Sequence, residues 1–142
     1  MEIEQSCCKY NDDNLLRVLA EQIDTLRNRF YLLETQDRMI MSMYLDNEMS
    51  FRQIALLLNA SPGKISRRIR KIIFELTKGK FILCMKKREL FTRPEIDIAK
   101  DYFVGGLSIK QIAERKNMSI YQTRELLKEI RHNINTIQKE KR

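Results

Sequence analysis

Apolar residues recur along this chain at helical spacing, and short polar segments separate the periodic stretches. The first stretch begins near Leu15, after several N-cap candidates at 11–14. Its apolar residues are spaced alternately by three and four, and they are Leu16, Leu19, Ile23, Leu26, Phe30 and Leu33. We expect this stripe either to pack on the helices that follow or to form the seam of a homodimer.

The segment 49–72 recurs 58 positions later as 107–130. Identical residues face one another in the two copies at Ser50, Gln53, Ile54, Ala55, Asn59, Ser61 and Ile72, whose partners stand at 108, 111, 112, 113, 117, 119 and 130. A helix predicted from Gln36 to about Leu45 has its own counterpart at Pro94 to Phe103. Self-similarity at a fixed offset therefore predicts two copies of one three-helix unit.

These patterns together predict an all-α fold with two tandem units. We expect a frayed start and an amphipathic helix in 1–32, the first unit in 33–76, a helical connector in 77–90, and the second unit with a basic tail in 91–142. The tail from Asn133 is polar and is expected to fray. The connector is too apolar for a free linker, so it should pack against the units and fix their relative positions.

The last two helices of each copy have the signals of a helix-turn-helix. In the first copy Ser50 can cap the first helix, and Ala55 is small enough for two helices to cross closely. Asn59 stands where the turn needs a left-handed backbone, and Ser61-Pro62 begins the second helix. Because this motif commonly places its second helix in the DNA major groove, the pattern predicts DNA binding.

The charge distribution favours the same partner, duplex DNA. The chain carries a net charge of +8, but residues 1–46 hold 5 basic and 9 acidic side chains, whereas 47–142 hold 22 and 10. In the first copy the predicted DNA contacts are Ser61, Lys64, Ser66, Arg67, Arg68, Arg70 and Lys71. In the second copy they are Ser119, Tyr121, Gln122, Arg124 and Lys128. Acids offset the bases there, so the second copy either reads bases with little phosphate contact or packs against a partner.

The composition gives little support to other chemistry. The three cysteines form no Cys-x-x-Cys pair and His132 has no companion at ligand spacing, so we expect no metal and no cofactor. No Gly-rich phosphate loop or His-assisted nucleophile is present, which argues against an enzyme. Cys84 is expected to be a buried packing residue. The acidic N-terminus and the lack of a long apolar run predict a cytoplasmic protein without a membrane span.

Three runs within Leu33 to Phe74 carry a resemblance to a known family. They are the helix end Met43-Tyr44-Leu45, the run Met49-Ser50-Phe51-Arg52-Gln53-Ile54-Ala55, and the run Ser61-Pro62-Gly63-Lys64-Ile65-Ser66-Arg67-Arg68-Ile69. This segment resembles region four, the C-terminal helix-turn-helix of bacterial sigma factors, and 91–132 is a weaker second match. In that family region four binds the upstream promoter element and docks on RNA polymerase. The resemblance therefore implies a DNA-binding transcription regulator.

The chain also departs from that family. It has no counterpart of the core-binding and promoter-melting region, so it does not look like a complete sigma factor. It is similar, too, to small region-four-like proteins proposed to act with the signal recognition particle, although those normally have one motif and an acidic tail. The alternative function is therefore an interaction module that docks on RNA polymerase, a sigma factor or a signal-recognition-particle-type complex.

Overall fold

The described part of the chain is built from helices. The computed structural model describes residues 17, 20 and 22–140. Helix α1 includes residues 22–28, and the later helices are α2 (Thr35–Leu45), α3 (Phe51–Leu58), α4 (Pro62–Thr77), α5 (Lys80–Lys86), α6 (Arg93–Ala99), α7 (Ile109–Lys116) and α8 (Ile120–Glu140). Short 3₁₀ turns occupy Phe30–Leu32 and Arg88–Leu90, and a π-helical turn at Lys100–Val104 follows α6. Within these residues there is no strand, and the predicted all-α class is confirmed. None of these described helices is long and apolar enough to cross a bilayer.

The two copies have nearly the same backbone at their helix caps. Ser50 and Ser108, which cap α3 and α7, both have φ −72° and ψ 162°, and each forms a capping box with the glutamine three residues later. At the other end of these helices, Asn59 has φ 53° and ψ 48°, and Asn117 has φ 56° and ψ 47°. The left-handed turn predicted from Asn59 is therefore present in both copies.

The loop before each capped serine also repeats, with one difference in sequence. The N–H of Asn47 donates to the Ser42 carbonyl at 3.2 Å, and the N–H of Gly105 donates to the Lys100 carbonyl at 3.0 Å, so both preceding helices end in a wide turn. The next residue has a positive φ in both copies, 52° at Glu48 and 68° at Gly106. Glycine adopts this backbone without a steric cost, and glutamate does not. The first copy is consequently strained at Glu48.

One continuous hydrophobic core joins the two copies through α5. Helix α5 contacts α4 on the side of the first copy and both α6 and α8 on the side of the second. It buries Phe81, Ile82 and Cys84 in the cluster that holds the apolar residues of both copies. Gly79 allows the tight turn from α4 into α5, because a Cβ there would lie 2.8 Å from the Glu75 carbonyl oxygen. Within the predicted connector 77–90, α5 is thus a helix that packs against both copies.

The C-terminal tail differs from the prediction. Helix α8 continues to Glu140 instead of fraying from Asn133, and it buries Ile134 and Ile137. These isoleucines continue the apolar side that Leu127 and Ile130 begin, at the spacing of an amphipathic helix. The expectation of fraying is wrong because Ile134 joins the hydrophobic core and Ile137 is also buried, so the last turns remain helical.

The N-terminal stripe is described only in part. Leu16 and Leu19, together with the predicted helix start near Leu15, lie outside the described residues. The other members of the stripe are buried or half-buried within the chain, and they are Ile23, Leu26, Phe30 and Leu33. Next to them, the Arg29 guanidinium donates to the Leu76 carbonyl at 2.6 Å, which ties this segment to the end of α4. At these positions the stripe packs on the first copy, and a homodimer through it stays a prediction.

Replacing Glu48 by glycine should stabilise the protein, because glycine takes the positive φ without a steric cost. We expect the free energy of unfolding to rise by about 0.5–1 kcal/mol, since the gain is partly offset by the entropy that glycine adds to the unfolded chain. Urea unfolding followed by circular dichroism measures this change. Asn47→Gly is the matched control, because residue 47 has no positive φ and glycine there should lower stability. Unchanged or reduced stability of Glu48→Gly would contradict the inferred strain.

Candidate nucleic-acid interface

Helix α4 has one buried side and one exposed side, and an N-cap fixes the residue at which the helix begins. The Ser61 hydroxyl oxygen accepts a hydrogen bond from the Lys64 N–H at 3.2 Å, and Pro62 is the first helical residue, as predicted. The buried side is formed by Ile65, Ile69, Ile72, Ile73 and Leu76. Helix α3 packs against α4, with Ala55 buried where a small residue was expected. The opposite side of α4 is thereby left to solvent.

Three of the predicted DNA contacts form a line on that exposed side. Lys64, Arg67 and Lys71 are all exposed, and their spacing of three and four places them on one side of the helix. We call these three residues the cation stripe. An Nη1 atom of Arg67 lies 3.4 Å from the position that a Cβ at Gly63 would take, so this guanidinium lies over the first turn of α4. The stripe therefore concentrates two cations near the N-terminus of the helix.

Arg68, by contrast, has a partner inside the protein. Its Nε donates to Oδ1 of Asp37 on α2 at 2.5 Å, and Asp37 is only 6% exposed. A buried carboxylate is costly unless a cation and hydrogen bonds compensate it. Arg68 consequently holds α4 against α2, and any contact it makes with DNA has to compete with this ion pair.

Two further predicted contacts are less accessible than the sequence suggested. Ser66 is 8% exposed, so it does not belong to the outward side of α4 where we placed it. The reason is helical geometry, because Ser66 shares its side of the helix with Ile69 and Ile73. Arg70 is half-buried and its Nε is enclosed. Ser66 is therefore removed from the candidate interface.

In the second copy, two predicted contacts form the cap of α8. The Ser119 hydroxyl oxygen accepts the Gln122 N–H at 3.0 Å, and Gln122 Oε1 accepts the Ser119 N–H at 3.2 Å. Lys128 lies 3.4 Å from Glu125 through Nζ and Oε1. Tyr121 and Arg124 are exposed. Of the five residues predicted for this copy, Ser119, Gln122 and Lys128 thus take part in the cap or an ion pair, and Tyr121 and Arg124 are the two left as exposed candidates for DNA contact.

An ion-pair cluster links the two copies on the surface. Nη1 of Arg115 on α7 lies 2.9 Å from Oε1 of Glu34, just before α2, and 3.4 Å from Oδ1 of Asp101. The hydrogen bond from Arg115 favours the charged carboxylate and lowers the pKa of Glu34. Because both partners of the Glu34 pair are well exposed, we assign it a modest contribution of about 0.2–1 kcal/mol to stability.

The first copy has two exposed leucines on α3 where the second copy has Glu114 and Arg115. Leu56 and Leu57 on α3 are 78% and 65% exposed, and Leu57 corresponds to Arg115. Sequence reasoning missed this surface, because a run of three leucines in a motif helix suggests core packing. The signal that could have found it is the charged pair Glu114-Arg115 at the same positions of the second copy.

The described interior contains one cysteine, Cys84. Burial raises the pKa of the Cys84 thiol to about 11, so the thiol stays protonated and unreactive, in agreement with its expected packing role.

A crevice of about 220 Å³ lies between the copies, but acids and bases line it together, including Asp37, Arg68, Lys71 and Glu75. Burial raises the pKa of Glu75 there, against the opposing charges of Lys71 and Lys80. Among the residues the structure describes, no group of three or more His, Cys, Asp or Glu side chains could hold a metal ion.

Comparison of the chain with protein-family models, with curated proteins and with solved structures gives no match. The resemblance to sigma region four thus stays an expectation from the sequence.

Removing Arg68 should destabilise the fold, whereas removing the cation stripe should not. Arg68→Ala leaves the buried Asp37 carboxylate without its cation, and we expect a loss of about 1–2 kcal/mol. Lys64→Ala and Arg67→Ala are exposed changes and should cost less than about 0.5 kcal/mol. Urea unfolding measures all three variants.

The double variant Asp37→Asn with Arg68→Ala is the control for this comparison. It removes the buried charge together with its partner, so it should recover part of the stability that Arg68→Ala loses. If Arg68→Ala unfolds at the same urea concentration as the unchanged protein, the ion pair does not hold α2 against α4.

Proposed function

We propose that this protein is a transcription regulator that binds double-stranded DNA, with α4 in the major groove. The observation that supports it best is the cation stripe, which lies on the exposed side of a capped helix that follows α3 and a left-handed turn. That order of elements is typical of a helix-turn-helix, whose second helix enters the groove. The resemblance to sigma region four favours the same function.

The members of the stripe would have different roles on DNA. Arg67 lies over the first turn of α4, the part of such a helix that reaches base edges, and its guanidinium suits a bidentate contact with guanine. Lys71 lies one turn further from the cap and suits a phosphate. Pro62 has no N–H and the Lys64 N–H is bonded to Ser61, so the Gly63 N–H is the group that offers a second phosphate contact at the N-terminus of α4. Lys64 lies in the first turn of α4, between Ser61 and Arg67.

The chain also carries the charge that such binding needs. Residues 47–142 hold twelve more basic than acidic side chains, and this stretch contains both copies of the helix pair. Phosphate contacts would supply much of the affinity and make it depend steeply on salt. No cofactor is required for this mode of binding.

Arg67→Ala and Lys71→Ala should have different effects on DNA binding. The preferred site would first be selected from a random duplex library with the full chain. On that site we expect Arg67→Ala to weaken binding by roughly 10- to 100-fold, with little effect on unrelated DNA, because it removes a base contact. Lys71→Ala should weaken both DNAs by a similar factor and lower the slope of log affinity against log salt by about one. Fluorescence anisotropy at several salt concentrations measures both effects.

Lys139→Ala is the matched control, since Lys139 is an exposed cation near the far end of α8. It should leave the affinity for the selected site unchanged. Equal losses for Arg67→Ala on selected and unrelated DNA would argue against base recognition by Arg67. Failure to enrich any site would contradict sequence-specific binding as a whole.

The exposed leucine pair favours a second candidate function, docking on RNA polymerase, a sigma factor or a signal-recognition-particle-type complex. Leu56 and Leu57 lie together on α3, and large side chains exposed side by side are typical of protein interfaces. Their counterparts in the second copy are charged, so the apolar surface is not a requirement of the shared fold.

Docking predicts that Leu56→Glu with Leu57→Glu abolishes stoichiometric binding to purified RNA polymerase. The negative charges would have to be buried in an apolar interface, and the expected loss is at least about 10-fold. Replacing all three residues of the cation stripe by alanine should leave this binding intact. Sedimentation with labelled protein measures the complex. The docking function is rejected for polymerase if the unchanged protein does not bind it, or if only the stripe variant loses binding.

A further inference from the structure

The first turn of α8 presents an apolar pair to solvent. Ile120 is 44% exposed and Tyr121 is 72% exposed, directly after the N-cap Ser119. The equivalent positions of the first copy hold Pro62 and Gly63, so this pair is a property of the second copy alone. Arg124 is exposed one turn further along the same helix.

The capping box changes what this turn can recognise. A glutamine reads adenine by accepting one hydrogen bond through its amide oxygen while donating another through its nitrogen. Gln122 Oε1 already accepts the Ser119 N–H, so a bidentate adenine contact would break this half of the capping box. The side chains that this turn can offer without such a cost are the apolar pair and Arg124.

Apolar groups distinguish one base in the major groove, because only thymine carries a methyl group there. The exposed patch is also small, since polar residues flank the pair at Ser119 and Gln122. A stable protein interface buries roughly 800 Å² on each partner, so two side chains on one helical turn, here or at Leu56 and Leu57, could form only a small part of one. A groove that needs only a few apolar contacts fits this patch better than a protein surface does.

We propose that Ile120 and Tyr121 recognise thymine methyl groups, so that the DNA segment bound by the second copy is rich in thymine. This inference rests on the proposed DNA binding through α4. The two copies share one core through α5, so docking α4 in the groove brings α8 along in one defined orientation. The cationic face of α4 and the apolar first turn of α8 would then recognise different base compositions in one composite site.

The test replaces thymine by deoxyuridine in the duplex selected with the full chain, one half of the site at a time. This change removes the methyl group and keeps the base pair. In the half bound by the second copy, we expect deoxyuridine to weaken binding roughly five- to tenfold, the size of a few lost apolar contacts. In the half bound by α4 we expect no change. The double variant Ile120→Ala with Tyr121→Ala should show the same loss on thymine DNA and no further loss on deoxyuridine DNA.

Two further variants separate the effect of the Tyr121 ring from that of its hydroxyl group and from that of an exposed tyrosine elsewhere. Tyr121→Phe keeps the apolar ring without the hydroxyl group, so it should keep most of the preference for thymine. Tyr31→Ala removes a tyrosine that is 66% exposed at another place, and should leave the preference unchanged. Circular dichroism confirms that each variant is folded before binding is measured.

Each outcome supports or overturns the inference. Insensitivity of every position to deoxyuridine would overturn the thymine contact while leaving the proposed DNA binding intact. The inference also fails if the double variant still discriminates thymine from deoxyuridine, or if it binds DNA normally and instead loses a protein partner. Selection of no sequence at all would count against the proposed function itself, and this result is recognisable before any thymine is replaced.

Discussion

The structure depends on one layer of apolar side chains that lies between the two copies of the helix pair. Units of about 40 residues bury too little surface to be stable alone without metals, disulfides or further packing. Helix α5 supplies that packing, because Phe81, Ile82 and Cys84 contribute to a cluster shared by both copies. The orientation of α4 relative to α8 is consequently a property of the core and does not depend on a linker.

The elements that the sequence predicts well are those set by contacts within a few residues. Ser50 and Gln53 form their capping box within one turn, and Asn59 adopts the left-handed backbone that its side chain tolerates. The end of α8 was not predicted, since Ile134 is held in the hydrophobic core, which α8 reaches by packing against α5 and α6. Such contacts join residues far apart in sequence, and the local pattern near Asn133 gives little sign of them.

The same distinction applies to the candidate interface. The sequence predicted the helix at α4 and the exposure of Lys64, Arg67 and Lys71, because helix period and side-chain charge are local properties. It did not reveal that Arg68 is paired with Asp37, 31 positions earlier, or that Gln122 Oε1 is used within its own capping box. Nor did it indicate the exposed leucines of α3. These features depend on which surfaces the other helices cover.

The matching caps of the two copies have a consequence for how such a protein can diversify. Ser50 and Ser108 share their backbone angles, and so very nearly do Asn59 and Asn117, although the outward residues of the helices they bound differ in charge and polarity. The scaffold therefore separates the residues that set its shape from those that set its chemistry. Outward positions of one copy could be exchanged with those of the other as a cassette, giving new combinations of recognition on an unchanged backbone.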